Sequence, residues 1–181
     1  SAFSARHSKD ALDVLVRAHL MSVPFEDLDI YELGREVSLE IGDVFDKIVR
    51  RRRGGFCFEL NGLFCALLEA LGFECRAIAV RVLFEGEFPP IGHRSTIVTL
   101  ADGKRVVCDV GFGGPTPLGA LYLDCADVQH SGRLAFRYEK RPDGLYKFTY
   151  IQRDGAEMPL HLFSDSEFSK MDFVALGVYM S

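Results

Sequence analysis

A cysteine, a histidine and an aspartate, in that order along the chain, occupy positions suited to nucleophilic chemistry. Cys57 lies in Arg53-Gly54-Gly55-Phe56-Cys57-Phe58-Glu59-Leu60-Asn61, where a Gly-Gly pair, free to take positive φ, leads into an apolar-periodic helix. The unpaired N–H groups and positive dipole end at a helix start favour an anion. The thiolate is such an anion, and it is the form of cysteine that attacks carbonyls. His93 follows Phe88-Pro89-Pro90-Ile91-Gly92, a loop that tightens before a strand. Asp109 closes the apolar run from Arg105 and precedes Val110-Gly111-Phe112-Gly113-Gly114-Pro115-Thr116-Pro117. A carboxylate at the end of such a strand is desolvated and needs a partner to stay ionised. A histidine N–H would serve, and would hold the tautomer whose other nitrogen faces the thiol. Thiol nucleophile, base and orienting carboxylate are the three roles so implied.

Each of these residues has a plainer alternative. Cysteine is most often a small core residue, and that reading suits Cys65, within a helix, and Cys75, at the start of a strand. His93 alone would equally be a surface-loop histidine. His7 and His130 lie in polar segments, His19 sits on a helical face, and His161 falls in Pro159-Leu160-His161, read as a loop. Phe25, Phe56, Phe58 and Phe112 are candidates to line an aromatic pocket, although with 15 Phe in the chain ordinary core packing competes for each. The glycine-rich turn after Asp109 can present N–H groups to phosphate, but it matches neither a dinucleotide fingerprint nor a P-loop. The run Arg50 to Arg53 is read as a solvated helix end, with Arg53 paired to Glu26 or Glu59.

The elements that must position these residues divide into helices first and strands later. Leu12, Leu15, Val16, His19 and Leu20 have helical spacing behind an N-capping Ser8, until Val23-Pro24 stops the helix. Phe25 to Ile30 is expected to be extended, with a turn at Gly34. Asp43 is expected to cap a helix carrying Val44, Phe45, Ile48 and Val49. Leu60, Leu63, Phe64, Leu67, Leu68 and Leu71 form a single stripe closed by Gly72. Strands are expected at Cys75 to Phe84, Ser95 to Leu100, Arg105 to Val110, Arg133 to Tyr138 and Leu145 to Ile151, with turns at Asp102-Gly103 and Pro142-Asp143-Gly144. This order points to an α+β fold with antiparallel pairing.

The chain has 181 residues, 48% of them hydrophobic and 26% charged, with a net charge of -5. That balance argues against nucleic-acid binding. No apolar run reaches membrane-spanning length, and the opening SAFSARHSKD lacks the apolar core of a signal peptide. Five widely spaced cysteines without a CxxC pair fit free thiols in a reducing cytoplasm better than a disulfide scaffold or a zinc site, and no metal is expected.

Four segments together resemble the arylamine N-acetyltransferases. They are His19-Leu20-Met21-Ser22-Val23-Pro24-Phe25-Glu26-Asp27-Leu28-Asp29, Arg53 to Asn61, His93-Arg94, and Asp109-Val110-Gly111-Phe112-Gly113. The resemblance implies a helical domain over residues 1–73, an antiparallel β-barrel-like domain over 74–170, and a cysteine-protease-like architecture. It implies a Cys57-His93-Asp109 triad that takes acetyl from acetyl-CoA and passes it to an arylamine or arylhydrazine by ping-pong chemistry. By motif position, Gly111, Phe112, Gly113, Gly114 and Thr116 would lie near CoA or the acceptor, and Phe25, Phe56 and Phe112 near the aromatic amine. Residues 171–181 would begin a linker to a third domain, so CoA is expected to bind this chain weakly. The chain also begins late relative to the family. An amide synthase of the same family and an inactive scaffold that keeps the fold are the rival readings.

Overall fold

In the computed structural model, which describes residues 7–83 and 88–180, the Ser8 hydroxyl accepts the Ala11 N–H at 3.3 Å and starts α1, Lys9–Ser22. Leu12 and Val16 are its fully buried face. After Pro24 the chain is extended only briefly. Phe25 bridges Gly55 in parallel, and a short helix α2, Leu28–Tyr31, replaces the expected extended run to Ile30. Helix α3, Ile41–Phe45, begins at Glu40 and not Asp43, whose carboxylate accepts the Ser38 hydroxyl at 2.6 Å. It continues as a π-turn over Asp46–Arg50. That turn rotates the face: Val44, Lys47 and Ile48 are buried while Phe45 and Val49 are exposed. Helix α4, Cys57–Ala70, ends where Gly72 takes φ +86°, the left-handed conformation that closes helices.

The sheet holds β1 (Glu74–Val82), β2 (Ile91–Thr99), β3 (Arg105–Cys108), β4 (Leu121–Tyr122), β5 (Gln129–Ser131), β6 (Leu134–Lys140), β7 (Tyr146–Ile151) and β8 (Glu157–Phe163). Their order is β4-β3-β2-β1-β8-β7-β6-β5, antiparallel throughout, in a nearly closed barrel-like sheet. The fold is therefore α+β, as the order of patterns implies. Phe84, the expected end of the first strand, lies outside the described residues, as do Ser1 to Arg6 and Ser181.

Two differences bear on chemistry. Strand β2 starts at Ile91, so His93 is a strand residue opposite Val80 and not a loop residue. Strand β8 was not expected at all, because Pro159 reads as a loop signal. Pro159 sits at a register shift between Phe148 and Thr149, the kind of irregularity where a strand tolerates a residue without an N–H. β8 joins the two halves of the sheet through Val80–Val82. The described part of residues 171–181, expected as the start of a linker, lies in α5 (Lys170–Met180), with Phe173 buried against Phe58.

Beneath the helices, one core cluster joins Leu12, Val16, Val44, Ile48, Leu60, Phe64 and Leu68 to Val98, Val106 and Cys108 of the sheet. A second fills the sheet's inner face around Ile78, Val80, Phe136, Phe148 and Leu160. A third, with Phe56, Phe58, Ala77, Ala79 and Phe173, surrounds Cys57.

The Gly54-Gly55 pair serves close approach and not positive φ, since neither residue takes it. A Cβ on Gly54 would collide with the Pro24 carbonyl and come within 2.7 Å of Glu26. This proximity lets Gly55 accept the Glu26 N–H at 3.0 Å and fixes the chain entering α4. We expect Gly54→Ala to cost about 1–3 kcal/mol, the range for overpacked sites. Thermal unfolding would read it, and an unchanged midpoint would contradict the packing account.

Candidate active site

Cys57 is the first residue of α4, and its placement is set by the groups just around it. Glu59 accepts the Phe56 N–H at 3.0 Å, closing the helix start. The same carboxylate takes the Lys47 ammonium at 2.9 and 3.0 Å, and Lys47 also reaches Asp29 at 2.7 Å. Burial pushes the Glu59 acid up, only partly offset by Lys47. Arg53 pairs with Glu26 at 2.7 Å and Asp29 at 3.4 Å, so of its two expected partners only Glu26 is used. Breaking one member of this buried cluster would strand the others, a loss of order 3–5 kcal/mol for fully buried pairs.

Three sequence-distant residues meet at the start of α4. The His93 Nε2–H donates to Asp109 Oδ2 at 2.6 Å, leaving Nδ1 for other contacts. The Cys57 thiol lies 3.7 Å from the carbonyl of Gly92, the residue before His93, and Cys57 helps to hold the proton on that ring. Asp109 Oδ1 accepts from Asn61 Nδ2 at 3.0 Å and from Gly111 N–H at 3.1 Å. Cys57, His93 and Asp109 are all buried.

Burial opposes charge on His93, but the Asp109 carboxylate, with Cys57 adding to it, raises the ring to about 10. The imidazolium is thus its form at neutral pH. Burial likewise opposes charge on Asp109, and the His93 cation holds the acid well below the usual carboxylate range. A thiol beside an imidazolium braced by a carboxylate can ionise and attack an activated carbonyl.

Asn61 escaped sequence reasoning, and His161, the hardest of the other histidines to dismiss, was expected in a loop. Asn61 lies one helical turn after Cys57, and that spacing was the available signal that both share a face. Its amide donates to the Arg94 carbonyl at 2.7 Å and accepts from Val110 N–H at 2.9 Å, so it ties α4 to β2 and to the turn holding Asp109. His161, on β8, lies buried with its ring centroid 5.2 Å from that of His93 and 4.3 Å from that of Phe112. Alternation along β8 was the signal, masked by Pro159. One nitrogen or oxygen each of His93, Asp109 and His161 lies within 4.8 Å of the others, a spacing a cation could use. The 2.6 Å bond between His93 and Asp109 already engages one atom of each of these two residues.

The remaining candidates separate. Gly111 is buried, and a Cβ there would sit 3.1 Å from Cys57 Cα, so its glycine serves packing. Gly113 and Gly114 are exposed, and the Thr116 hydroxyl lies 2.9 Å from each of the Phe112 and Gly114 carbonyls, holding the loop. Phe25 is 48% exposed, with its ring beside Gly113. Phe112 packs edge-on to His93 at 5.5 Å. Phe56 is buried against Phe58 at 5.5 Å, a core position.

Burial lowers His161 to about 3, with the His93 cation adding to it, and burial lowers His19 to about 4. Both stay neutral when folded, so the unfolded chain takes up protons first as pH falls below 6.5. Their contribution to stability is therefore lost on acidification. His93 has the opposite sign: its contribution is complete below 6.5 and lost as pH rises toward 10. By pH 5 we expect His161 alone to cost about 2 kcal/mol. Denaturant midpoints at pH 7 and 5 would check this, and His161→Gln should remove that share of the difference. An equal acid loss in the variant would contradict it.

A family model described as N-acetyltransferase matches residues 9–181. The arylamine N-acetyltransferase of Mycobacterium tuberculosis is 41% identical over 141 residues, covering 75% of this chain and 50% of that protein. That of Escherichia coli K12 is 42% identical over 146 residues, covering 79% and 51%. Among solved structures, the Salmonella typhimurium arylamine N-acetyltransferase superposes with a TM-score of 0.89 at 30% identity, over 96% of this chain and 62% of that one. The Mycobacterium marinum arylamine N-acetyltransferase in complex with CoA gives 0.87 at 32%, over 94% and 64%. The chain spans about half the length of these two curated relatives. Among the described residues no helix is long and apolar enough to cross a membrane.

Proposed function

The chain belongs to the arylamine N-acetyltransferase family, and from this premise we propose that it transfers acetyl from acetyl-CoA to an arylamine through a thioester on Cys57. The observation that carries the proposal is the 2.6 Å contact of His93 with Asp109, with the Cys57 thiol 3.7 Å from the carbonyl of the residue before that histidine.

Asp109 orients the ring and holds it as the imidazolium, so that the Cys57 proton rests on Nδ1 and the sulfur stands beside it as a thiolate. The sulfur attacks the acetyl carbon, and backbone N–H groups at the α4 start, that of Cys57 among them, stabilise the oxyanion. The carbon–sulfur bond to CoA breaks, and the CoA thiolate leaves with the proton from His93. An arylamine nitrogen then attacks the thioester. His93 takes the amine proton, and the Cys57 sulfur departs as the amide forms. The acetyl group crosses in two half-reactions, with the enzyme carrying it between them.

Gly113, Gly114 and Thr116 are proposed to face CoA, and Phe25 and Phe112 the aromatic acceptor. The exposure of Gly113 and Gly114 and the nearness of Phe25 to that loop support this assignment. For Gly111 and Phe56 their packing supports a structural role instead. A cytoplasmic setting accords with the free thiols Cys57, Cys65, Cys75, Cys108 and Cys125.

Initial rates measured over a grid of acetyl-CoA and arylamine concentrations test the scheme. Parallel double-reciprocal lines are expected. Intersecting lines, which mark a ternary complex with direct transfer, would contradict it.

A further inference from the structure

Away from Cys57 the molecule holds a pair of thiols. Cys65, in the third turn of α4, and Cys75, second residue of β1, bring their sulfurs within 3.9 Å. Cys75 lies 3.8 Å from the Cys65 carbonyl, and Cys65 lies 3.8 Å from Glu69 Oε1. Arg94 and Thr96, both on β2, lie near Cys65, and the Arg94 guanidinium acts on its sulfur electrostatically. A cavity of about 240 Å³, lined by Gly62, Cys65, Cys75, Arg76, Arg94 and Phe168 among others, opens onto the pair.

Two chemistries suit vicinal thiols: holding a soft cation, or oxidation to a disulfide. The ligand atoms of Cys65, Glu69 and Cys75 lie within 4.8 Å of one another, a spacing that a cation would accept. The Arg94 guanidinium, which lines the same cavity, decides against it, because a fixed positive charge near the Cys65 sulfur repels a second one. The same guanidinium favours a thiolate, the form that reacts with peroxides.

We propose that Cys65 and Cys75 form a peroxide-reactive dithiol that closes to an intrachain disulfide, a modification site separate from Cys57. The Cys65 thiolate attacks one oxygen of hydrogen peroxide, and the O–O bond breaks. Hydroxide leaves, takes the Cys75 proton and departs as water, leaving Cys65 as its sulfenic acid. The Cys75 sulfur then attacks the Cys65 sulfur. The S–O bond breaks, and the second hydroxide is protonated by solvent. Two thiols are oxidised and one peroxide is reduced to two waters.

The thiol contact and its neighbours support this order. The hydrogen bond from Cys75 lowers Cys65 against burial and the Glu69 carboxylate, with Arg94 adding to it, and the same contact together with burial raises Cys75. Closure requires the sulfurs to approach to about 2.05 Å. Leu71 and Gly72 are exposed in the short connection before β1, so the shift would be taken up at the surface. The disulfide would staple the far end of α4 to β1 and leave the Cys57 end untouched. Cys108, buried and pushed up, has no comparable reactivity.

The test treats fully reduced protein with hydrogen peroxide at neutral pH, alkylates the remaining thiols and maps the peptides by mass spectrometry. A dithiothreitol-reversible link between the Cys65 and Cys75 peptides is expected, formed at least ~10-fold faster than Cys125 is oxidised. In Cys75→Ser the sulfenic acid should persist on Cys65 and be captured by dimedone. Full alkylation of both residues after Cys125 has been oxidised would overturn the proposal, as would a folded Cys75→Ser variant without the dimedone adduct.

Discussion

Cys57→Ser is expected to lower acetyl transfer by roughly 10⁴-fold or more, the scale seen when a nucleophile is removed from a unit of three cooperating residues. A hydroxyl is a poorer nucleophile than a thiolate and needs a neutral base at the moment of attack. His93 does not offer one, because Asp109 keeps it protonated to about 10. The serine would therefore face an imidazolium that has no lone pair to receive its proton. The fold should be indifferent to the exchange, since serine is slightly smaller than cysteine and has the Gly92 carbonyl within reach as an acceptor. Steady-state rates with circular dichroism as the control would read both. Retention of more than about a tenth of the activity would remove the sulfur from the mechanism.

Asp109→Asn should cost roughly 10³–10⁴-fold while preserving the shape of the site. Asp109 accepts three hydrogen bonds, from His93, Asn61 and Gly111. If the asparagine oxygen keeps the Asn61 and Gly111 donors, its NH₂ must face His93 Nε2. The ring then becomes an acceptor there and carries its proton on Nδ1, the atom that should receive the thiol proton. The substitution also removes the charge that holds His93 up, and burial then lowers the ring. Titration of the His93 ring by NMR should show its midpoint fall from about 10 to below 6.5. A variant within tenfold of the parent, or a His93 midpoint that stays high, would contradict this account.

The residues with chemical potential were legible because each stands at a point of punctuation: Cys57 after a glycine pair, His93 after a proline-rich loop, Asp109 before a glycine-rich turn. The helices were legible from their spacing and from Ser8, Pro24 and Gly72. The missing pieces share a physical origin, in that tertiary context overrode a local signal. Pro159 marks a loop by its lack of an N–H, yet a register shift in the sheet accommodates it and carries His161 inward. Lys47 belongs on a solvated face by charge, yet a π-turn rotates it beneath Asp29 and Glu59. Asn61 is uninformative as a single helical polar residue, and only the arrival of β2 and the Asp109 turn gives its amide partners. The Gly54-Gly55 pair suggests freedom of φ, whereas contact with Pro24 and Glu59 is what excludes larger residues there.

Locating the transferred acetyl group gives the most direct test. Protein incubated without an amine acceptor, first with acetyl-CoA and separately with an activated aryl acetate, would be digested and mapped by mass spectrometry. The aryl ester separates reactivity of the thiol from affinity for CoA. One acetyl group on Cys57, discharged when an arylamine is added, is the predicted result. Acetyl found only on lysines or on another cysteine, or a Cys57 adduct that no amine can discharge, would contradict it.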